Sequence, residues 1–175
     1  MGIIGAGKIA SSMGKTLQGM DTVKRYAIAA RDYERAKVFA EQYEFDKAYG
    51  SYEEMLLDPM VDLVYVATPH SHHYDQVKMC LEHGKHVLCE KAFTVNEKQA
   101  RDLFAMAKER KLLLTEAIWT RYMPMRKTLE EVLASGVIGN PYMLTANLSY
   151  IIDWKERIKK PELAGGALLD IGIYT

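Results

Sequence analysis

Glu90 and Lys91 follow directly on Val87-Leu88-Cys89, an apolar run that reads as a short buried strand. A carboxylate and an amine at a strand end can hold and move a proton. In an open parallel sheet, ligands gather beyond the carboxyl ends of the strands. A lysine partly desolvated there, beside a positively charged ring, has its pKa drawn down toward a useful range. It could take the hydroxyl proton as hydride leaves an alcohol carbon, with Glu90 orienting it or tempering the shift. The plainer alternative is a solvated pair that closes a strand. Asp170 and Tyr174 stand four residues apart, which is one face of a helix. The tyrosine offers a hydroxyl as proton donor or relay; the alternative for this pair is a helix cap and a buried aromatic.

Gly5-x-Gly7-x-x-Ala10 lies between the apolar start Gly2-Ile3-Ile4 and an amphipathic stretch. Between a strand and a helix this spacing is the dinucleotide fingerprint. Gly5 permits the tight turn, Gly7 lets a pyrophosphate approach, and the helix start, with Lys8 and Ile9, presents amide donors. The alternative is a packing turn without nucleotide. At the end of the next strand an acidic residue would favour NAD. Here Ala29 and Ala30 clear space beside Arg31, and a cation in that place suits a 2′-phosphate. NADP is therefore preferred over NAD, although Asp32 follows one residue late. Thr68-Pro69-His70-Ser71-His72-His73 closes a later strand. Three imidazoles invite a metal reading, but ligands from elsewhere in the fold are usually needed. Loop histidines near a dinucleotide are preferred, and no metal is expected.

The elements that must position these residues alternate. Strands are expected at 1–4, 25–30, 47–49, 61–67, 87–89 and 112–114. Amphipathic helices are expected between them: Ile9, Met13 and Leu17 inward on the first, Ala36, Phe39, Ala40 and Tyr43 on the second, and Tyr74, Val77, Cys80 and Leu81 ahead of Gly84. Capping boxes are read at Ser51/Glu54 and Thr94/Glu97, the latter opening a helix with Ala100, Leu103, Phe104 and Ala107 inward. Strands alternating with helices build βαβ units and a doubly wound parallel sheet of the α/β class. After Trp119 the rhythm changes. A helix carries Met125, Leu129, Val132 and Leu133, Tyr142–Leu148 reads as a strand of another sheet, residues 153 to 160 with Pro161 as a loop, and Gly165–Thr175 as a helix just starting. Residues 1–118 are thus expected to form a Rossmann domain, and 119–175 the beginning of a second, incomplete α/β domain.

Lys plus Arg and Asp plus Glu number 23 each, so no net charge draws nucleic acid or an anionic membrane. No apolar run approaches a membrane span. Glycines interrupt the apolar start with no basic stretch before it, so a secretory leader is not expected. Cys80 and Cys89 lack metal or redox spacing and read as buried small hydrophobes of a reducing compartment, with the cytoplasm as default.

Four stretches stand in the order of one family: Gly2-Ile3-Ile4-Gly5-Ala6-Gly7-Lys8-Ile9-Ala10, Ala67–His73, Gly84–Lys91 and Gly165–Tyr174. The chain resembles the Gfo/Idh/MocA oxidoreductases throughout its length. Glu116-Ala117-x-Trp119-Thr120-Arg121-Tyr122 brings it nearest to the dihydrodiol dehydrogenase and glucose–fructose oxidoreductase branch. The resemblance implies a Rossmann domain followed by a C-terminal α/β domain whose open sheet walls the substrate and often forms an oligomer interface. It implies oxidation or reduction of sugars, polyols or diols with NAD(P), and a homo-oligomer in the full-length form. Lys91 matches the family's catalytic lysine, and Asp170 and Tyr174 match its second-domain pair. Thr68, Pro69 and His73 match the cofactor loop, with Glu90 and Lys91 beside it, and Trp119 and Arg121 match residues lining the site. The family's proline after the lysine is Ala92 here, which removes the residue type that makes a cis bond easy. The substrate sheet is absent from these residues, so this stretch alone is expected to be inactive. The rival readings are a non-catalytic NAD(P)-binding regulatory or sensing protein of the same family, and a bare nucleotide-binding module.

Overall fold

The computed structural model describes residues 1–152 and 154–175; Asp153, first of the charged stretch read as a loop, lies outside the described residues. The chain divides into two compact units, Met1–Ala117 and Ile118–Thr175.

In the first unit six parallel strands alternate with helices: β1 (Gly2–Ile4), α1 (Lys8–Gln18), β2 (Ala27–Ala29), α2 (Tyr33–Tyr43), β3 (Lys47–Tyr49), α3 (Tyr52–Leu57), β4 (Leu63–Val66), α4 (His73–Glu82), β5 (His86–Cys89), α5 (Glu97–Glu109) and β6 (Leu114–Glu116). The order across the sheet is β3-β2-β1-β4-β5-β6, so the direction of winding reverses between β1 and β4, where the Rossmann fold forms its crevice. Both faces are covered, as a parallel sheet requires. Ile4, Val64, Val66 and Val87 point to the face packed by Leu56, Val77, Leu81 and Leu103. Ile3, Ile28 and Tyr65 point to the face packed by Ala10, Leu17, Phe39 and Tyr43. Alternate strand residues thus serve opposite layers. The core of Cys80 and Cys89 agrees with their reading as small hydrophobes: both are fully buried, and burial pushes the Cys80 thiol up to about 12.

Several local expectations shift. Ile9 stays 44% exposed while Ala10, Gly14 and Leu17 face the core and Met13 packs at its margin, so of the three expected residues Leu17 alone is fully inward. The last strand begins at Leu114 rather than Leu112. Asn96, not Thr94, caps α5: its side chain accepts from Gln99 N, and the Thr94 hydroxyl donates to Asn96 O. Ser51 does cap α3, accepting from Glu54 N. Phe104 is 47% exposed yet its ring packs on Phe93 at 5.1 Å.

The second unit holds α6 (Pro124–Ala134), the short α7 (Glu156–Lys159) and α8 (Ala167–Asp170). The expected strand at Tyr142–Leu148 does not form; no described residue pairs with it, and Tyr142 and Leu144 are 98% and 91% exposed. Its apolar alternation calls for a ladder partner that these residues do not supply. The charged loop contains α7. The expected helix from Gly165 is broken: α8 ends at Asp170, Ile171 leaves helical geometry at φ −126°, and a 3₁₀ turn follows over Gly172–Tyr174. Asp170 and Tyr174 therefore do not share one continuous helix face.

Candidate active site

The carboxyl edge of the sheet is built as a level shelf. Beyond the strands proper, Gly5 N donates to Ala29 O, Ala67 N to Ile4 O, Glu90 N to Val66 O and Ala117 N to Cys89 O, at 2.7–3.0 Å. The register levels Ile4, Val66, Cys89 and Glu116 across four neighbouring strands. Gly5, Ala67 and Glu90 come one residue later, and Ala6, Thr68 and Lys91 one later again. Sequence places these residues on three separate motifs; the sheet brings them to adjoining places on one edge.

The glycine loop fits a dinucleotide on its own geometry. Gly5 has φ +95°, and a Cβ there would lie 2.9 Å from Thr68 Cγ2 and 3.3 Å from Ala67 O, so only glycine makes this turn without strain. At Gly7, the residue preceding α1, a Cβ would meet nothing within 4 Å. The space before the helix start is open, and the amides of α1 face it with the favourable end of the helix dipole. Lys8 and Ile9 are exposed there.

Arg31 is exposed just past β2. Asp32, the residue that could have argued for NAD, is committed elsewhere: its carboxylate caps α2, accepting from Glu34 N and Arg35 N. Arg35 is a residue that sequence reasoning missed. Its Nη2 donates to Ala6 O at 3.1 Å. Burial raises the Tyr52 hydroxyl pKa, and Arg31 and Arg35 both pull it the other way, so the two guanidinium groups act in one neighbourhood. The i, i+4 spacing of two arginines at a helix start was the available signal.

Thr68 and Pro69 form the start of the loop after β4, and the Thr68 hydroxyl donates to Gln76 Oε1. His73 is fully buried. Its Nδ1 lies 2.8 Å from Ala92 O and its Nε2 2.9 Å from Thr68 O. A neutral ring donates through one nitrogen only, and burial lowers the pKa against the pull of these carbonyls. His73 thus lies between the Thr68 loop and the Lys91 loop, within reach of a carbonyl of each and donating to one of them at a time.

Lys91 is half-buried and Glu90 partly so. Burial raises the Glu90 carboxyl pKa; bonds from the Tyr65 hydroxyl and the Lys91 amide, and the Lys91 charge, oppose it. The Lys91–Ala92 peptide bond is cis.

In the second unit, Trp119 Nε1 donates to the Tyr174 hydroxyl oxygen at 3.0 Å, with the rings 5.8 Å apart. Asp170 is buried and paired with Arg157, a partner the motif did not indicate. Arg121 is exposed on the 3₁₀ turn over Trp119–Tyr122.

Residues 1–118 match the GFO_IDH_MocA family, described as an oxidoreductase family with an NAD-binding Rossmann fold. The NADP-dependent D-xylose 1-dehydrogenase of Hypocrea jecorina is 43% identical over 99% of this chain and 50% of its own length. The human trans-1,2-dihydrobenzene-1,2-diol dehydrogenase is 43% identical over 99% of this chain and 52% of its own. The chain therefore spans about half the length of the curated relatives it matches. Among solved structures, a 3-ketoreductase from Actinomadura kijaniata in complex with NADP and TDP-benzene superposes with a TM-score of 0.85 and 34% identity, over 99% of this chain and 54% of that one. An NAD-binding oxidoreductase from Klebsiella pneumoniae gives 0.80 and 30%, over 99% of this chain and 50% of that one.

Proposed function

The chain belongs to the Gfo/Idh/MocA oxidoreductase family and carries its NAD(P)-binding Rossmann fold, and on that premise we propose an NADP-preferring dehydrogenase or reductase acting on a carbinol of a sugar, polyol or cyclic diol. The observation that carries the reading is the placement of Lys91 on the same sheet edge as the Gly5–Gly7 loop, with Thr68 level between them. The relatives' substrates, D-xylose and a dihydrobenzene diol, support the substrate class.

A bound nicotinamide dinucleotide would supply the hydride acceptor or donor. The chain's own residues hold and complete it. The α1 amides beyond Gly7, with Lys8 and Ile9, face the pyrophosphate. Arg31, joined by Arg35, takes the 2′-phosphate through charge-assisted bonds. Thr68 and Pro69 would hold the nicotinamide side, with His73 packed behind their loop. Lys91 takes the hydroxyl proton in oxidation and returns it in reduction. Tyr174, whose hydroxyl oxygen accepts from Trp119 Nε1, is the second proton-carrying group. Asp170 orients its surroundings through Arg157, and Arg121 and Trp119 belong to the same functional set. Assembly as a homo-oligomer in the full-length form is part of the proposal, and the family resemblance supports it.

Fluorescence titration of the full-length protein with NADPH and NADH, followed by a screen of aldoses, polyols and cyclic diols, tests the reading. Tighter binding of NADPH with turnover of one of these classes is expected. Binding without turnover of any of them would make the protein a cofactor sensor instead.

A further inference from the structure

The segment carrying Lys91 is held from behind by side chains that no motif marks. Lys91 N donates to Glu90 Oε2 at 3.2 Å, and the Tyr65 hydroxyl donates to Glu90 Oε1. Ala92 O lies 2.8 Å from His73 Nδ1, and Phe93 N donates to Glu116 Oε1 at 2.9 Å. The amides of Lys91 and Phe93 are thus held by carboxylates from the end of β5 and from β6, and Ala92 O lies against the His73 ring of α4.

Tyr65 stands out among these supports. It sits in β4 with its ring in the layer packed by α1 and α2, only 1% exposed. Its cross-strand partner is Leu88, and Glu90 is two residues further along on the same face, within diagonal reach of a long side chain. A buried phenol needs an acceptor, and here the acceptor is the carboxylate beside Lys91. Burial and the Glu90 charge raise the Tyr65 pKa far above its ordinary value, so the hydroxyl is a permanent donor.

We propose that Tyr65 is a positioning residue for Lys91, acting through the Glu90 carboxylate, which it fixes in orientation. The inference rests on the reading of Lys91 as the proton-handling group. One oxygen of Glu90 is held by Tyr65 and the other holds the Lys91 amide, so losing the first bond loosens the second. The charged and titratable groups facing this carboxylate are Tyr65 from β4, Lys91 from its own loop, Glu116 and the Cys89 thiol. His73 closes the far side at Ala92 O. Glu116 and burial favour the protonated acid; Tyr65 and Lys91 favour the anion. Removing the phenol hydroxyl tips this balance toward protonation without changing the ring's shape.

The test uses full-length protein labelled with ¹³C at the glutamate carboxyl, with the Glu90 signal identified by its loss in Glu90→Gln. In Tyr65→Phe the Glu90 titration should move up by about one pH unit, and the acid limb of the kcat profile should move with it. NADPH affinity should be unchanged, which shows that the variant is folded. In a Glu90→Gln background, Tyr65→Phe should shift the pH profile no further, since the carboxylate through which it acts is gone. An unmoved Glu90 titration, an unmoved acid limb, or an equal effect of Tyr65→Phe with and without Glu90 overturns the assignment. Lys91→Ala assayed in parallel separates the two ideas. If it keeps turnover, the proton-handling reading fails; if it is inactive while the Glu90 titration stands still, only the role of Tyr65 fails.

Discussion

Gly5 and Gly7 should respond oppositely to the same substitution. A methyl on Gly5 must be accommodated at φ +95°, 2.9 Å from Thr68 Cγ2 and 3.3 Å from the main-chain oxygen of Ala67. The left-handed backbone costs about 1–2 kcal/mol for a non-glycine residue, and the crowding about as much again. Thr68 cannot swing aside freely, because its hydroxyl is bonded to Gln76. Gly5→Ala should therefore lose about 2–4 kcal/mol of stability, roughly 10 °C in Tm for a unit of this size. Gly7 has φ −97°, which any residue adopts, and open space before it. Gly7→Ala should leave Tm within about 1 °C while weakening NADPH binding by about 10–100-fold, because the methyl stands where a pyrophosphate must approach. Differential scanning fluorimetry and NADPH titration on both variants separate the effects. Unchanged NADPH affinity in Gly7→Ala would refute the cradle, and unchanged Tm in Gly5→Ala would refute the packing argument.

Arg31→Ala should raise the Kd for NADPH by about 10–100-fold, the loss of one or two charge-assisted bonds, while NADH affinity changes little; parallel titrations check it, and equal losses for the two cofactors would remove Arg31 from the 2′-phosphate. Asp58 should behave as a pH-dependent knot at the other end of the sheet. Its Oδ2 accepts from Lys47 Nζ at 2.7 Å and from the hydroxyls of Tyr49 and Tyr26, and its Oδ1 from Met60 N. Lys47 first, then Tyr49 and the Met60 amide, hold its pKa well below the ordinary carboxylate value of 3.8. A carboxyl whose pKa is depressed on folding contributes stability above its unfolded pKa and loses it as pH falls toward the folded one. Asp58→Asn should thus cost about 2 kcal/mol at neutral pH, with the gap to the wild type closing below the unfolded value in urea melts run from pH 7 to pH 2.

The sheet and its glycine loop were legible because their signals are local: apolar strands of a few residues, a 3.6-residue periodicity between them, and Gly5-x-Gly7-x-x-Ala10 at the first junction. The order β3-β2-β1-β4-β5-β6 is one of several that right-handed crossovers allow, and local signals do not choose among them. What escaped depends on pairing across the chain. Tyr65 meets Glu90 only through the β4–β5 register, which no single segment reveals. Asn96 displaces Thr94 as a cap because either residue type can do the work and backbone geometry decides. Asp32 stands one residue late for a cofactor role, and its carboxylate caps the start of α2 instead. The Asp170–Tyr174 spacing suggested a common helix face that the break at Ile171 removes. Tyr142–Leu148 carries the pattern of a strand without a described neighbour to pair with.

The central claim, that Lys91 handles the proton, is tested most directly by Lys91→Ala in the full-length protein, with kcat measured beside the NADPH dissociation constant. Turnover should fall by about 10²–10⁴-fold, the usual worth of a positioned acid or base, with NADPH affinity near that of the wild type. Turnover at the wild-type rate with NADPH affinity intact would contradict it.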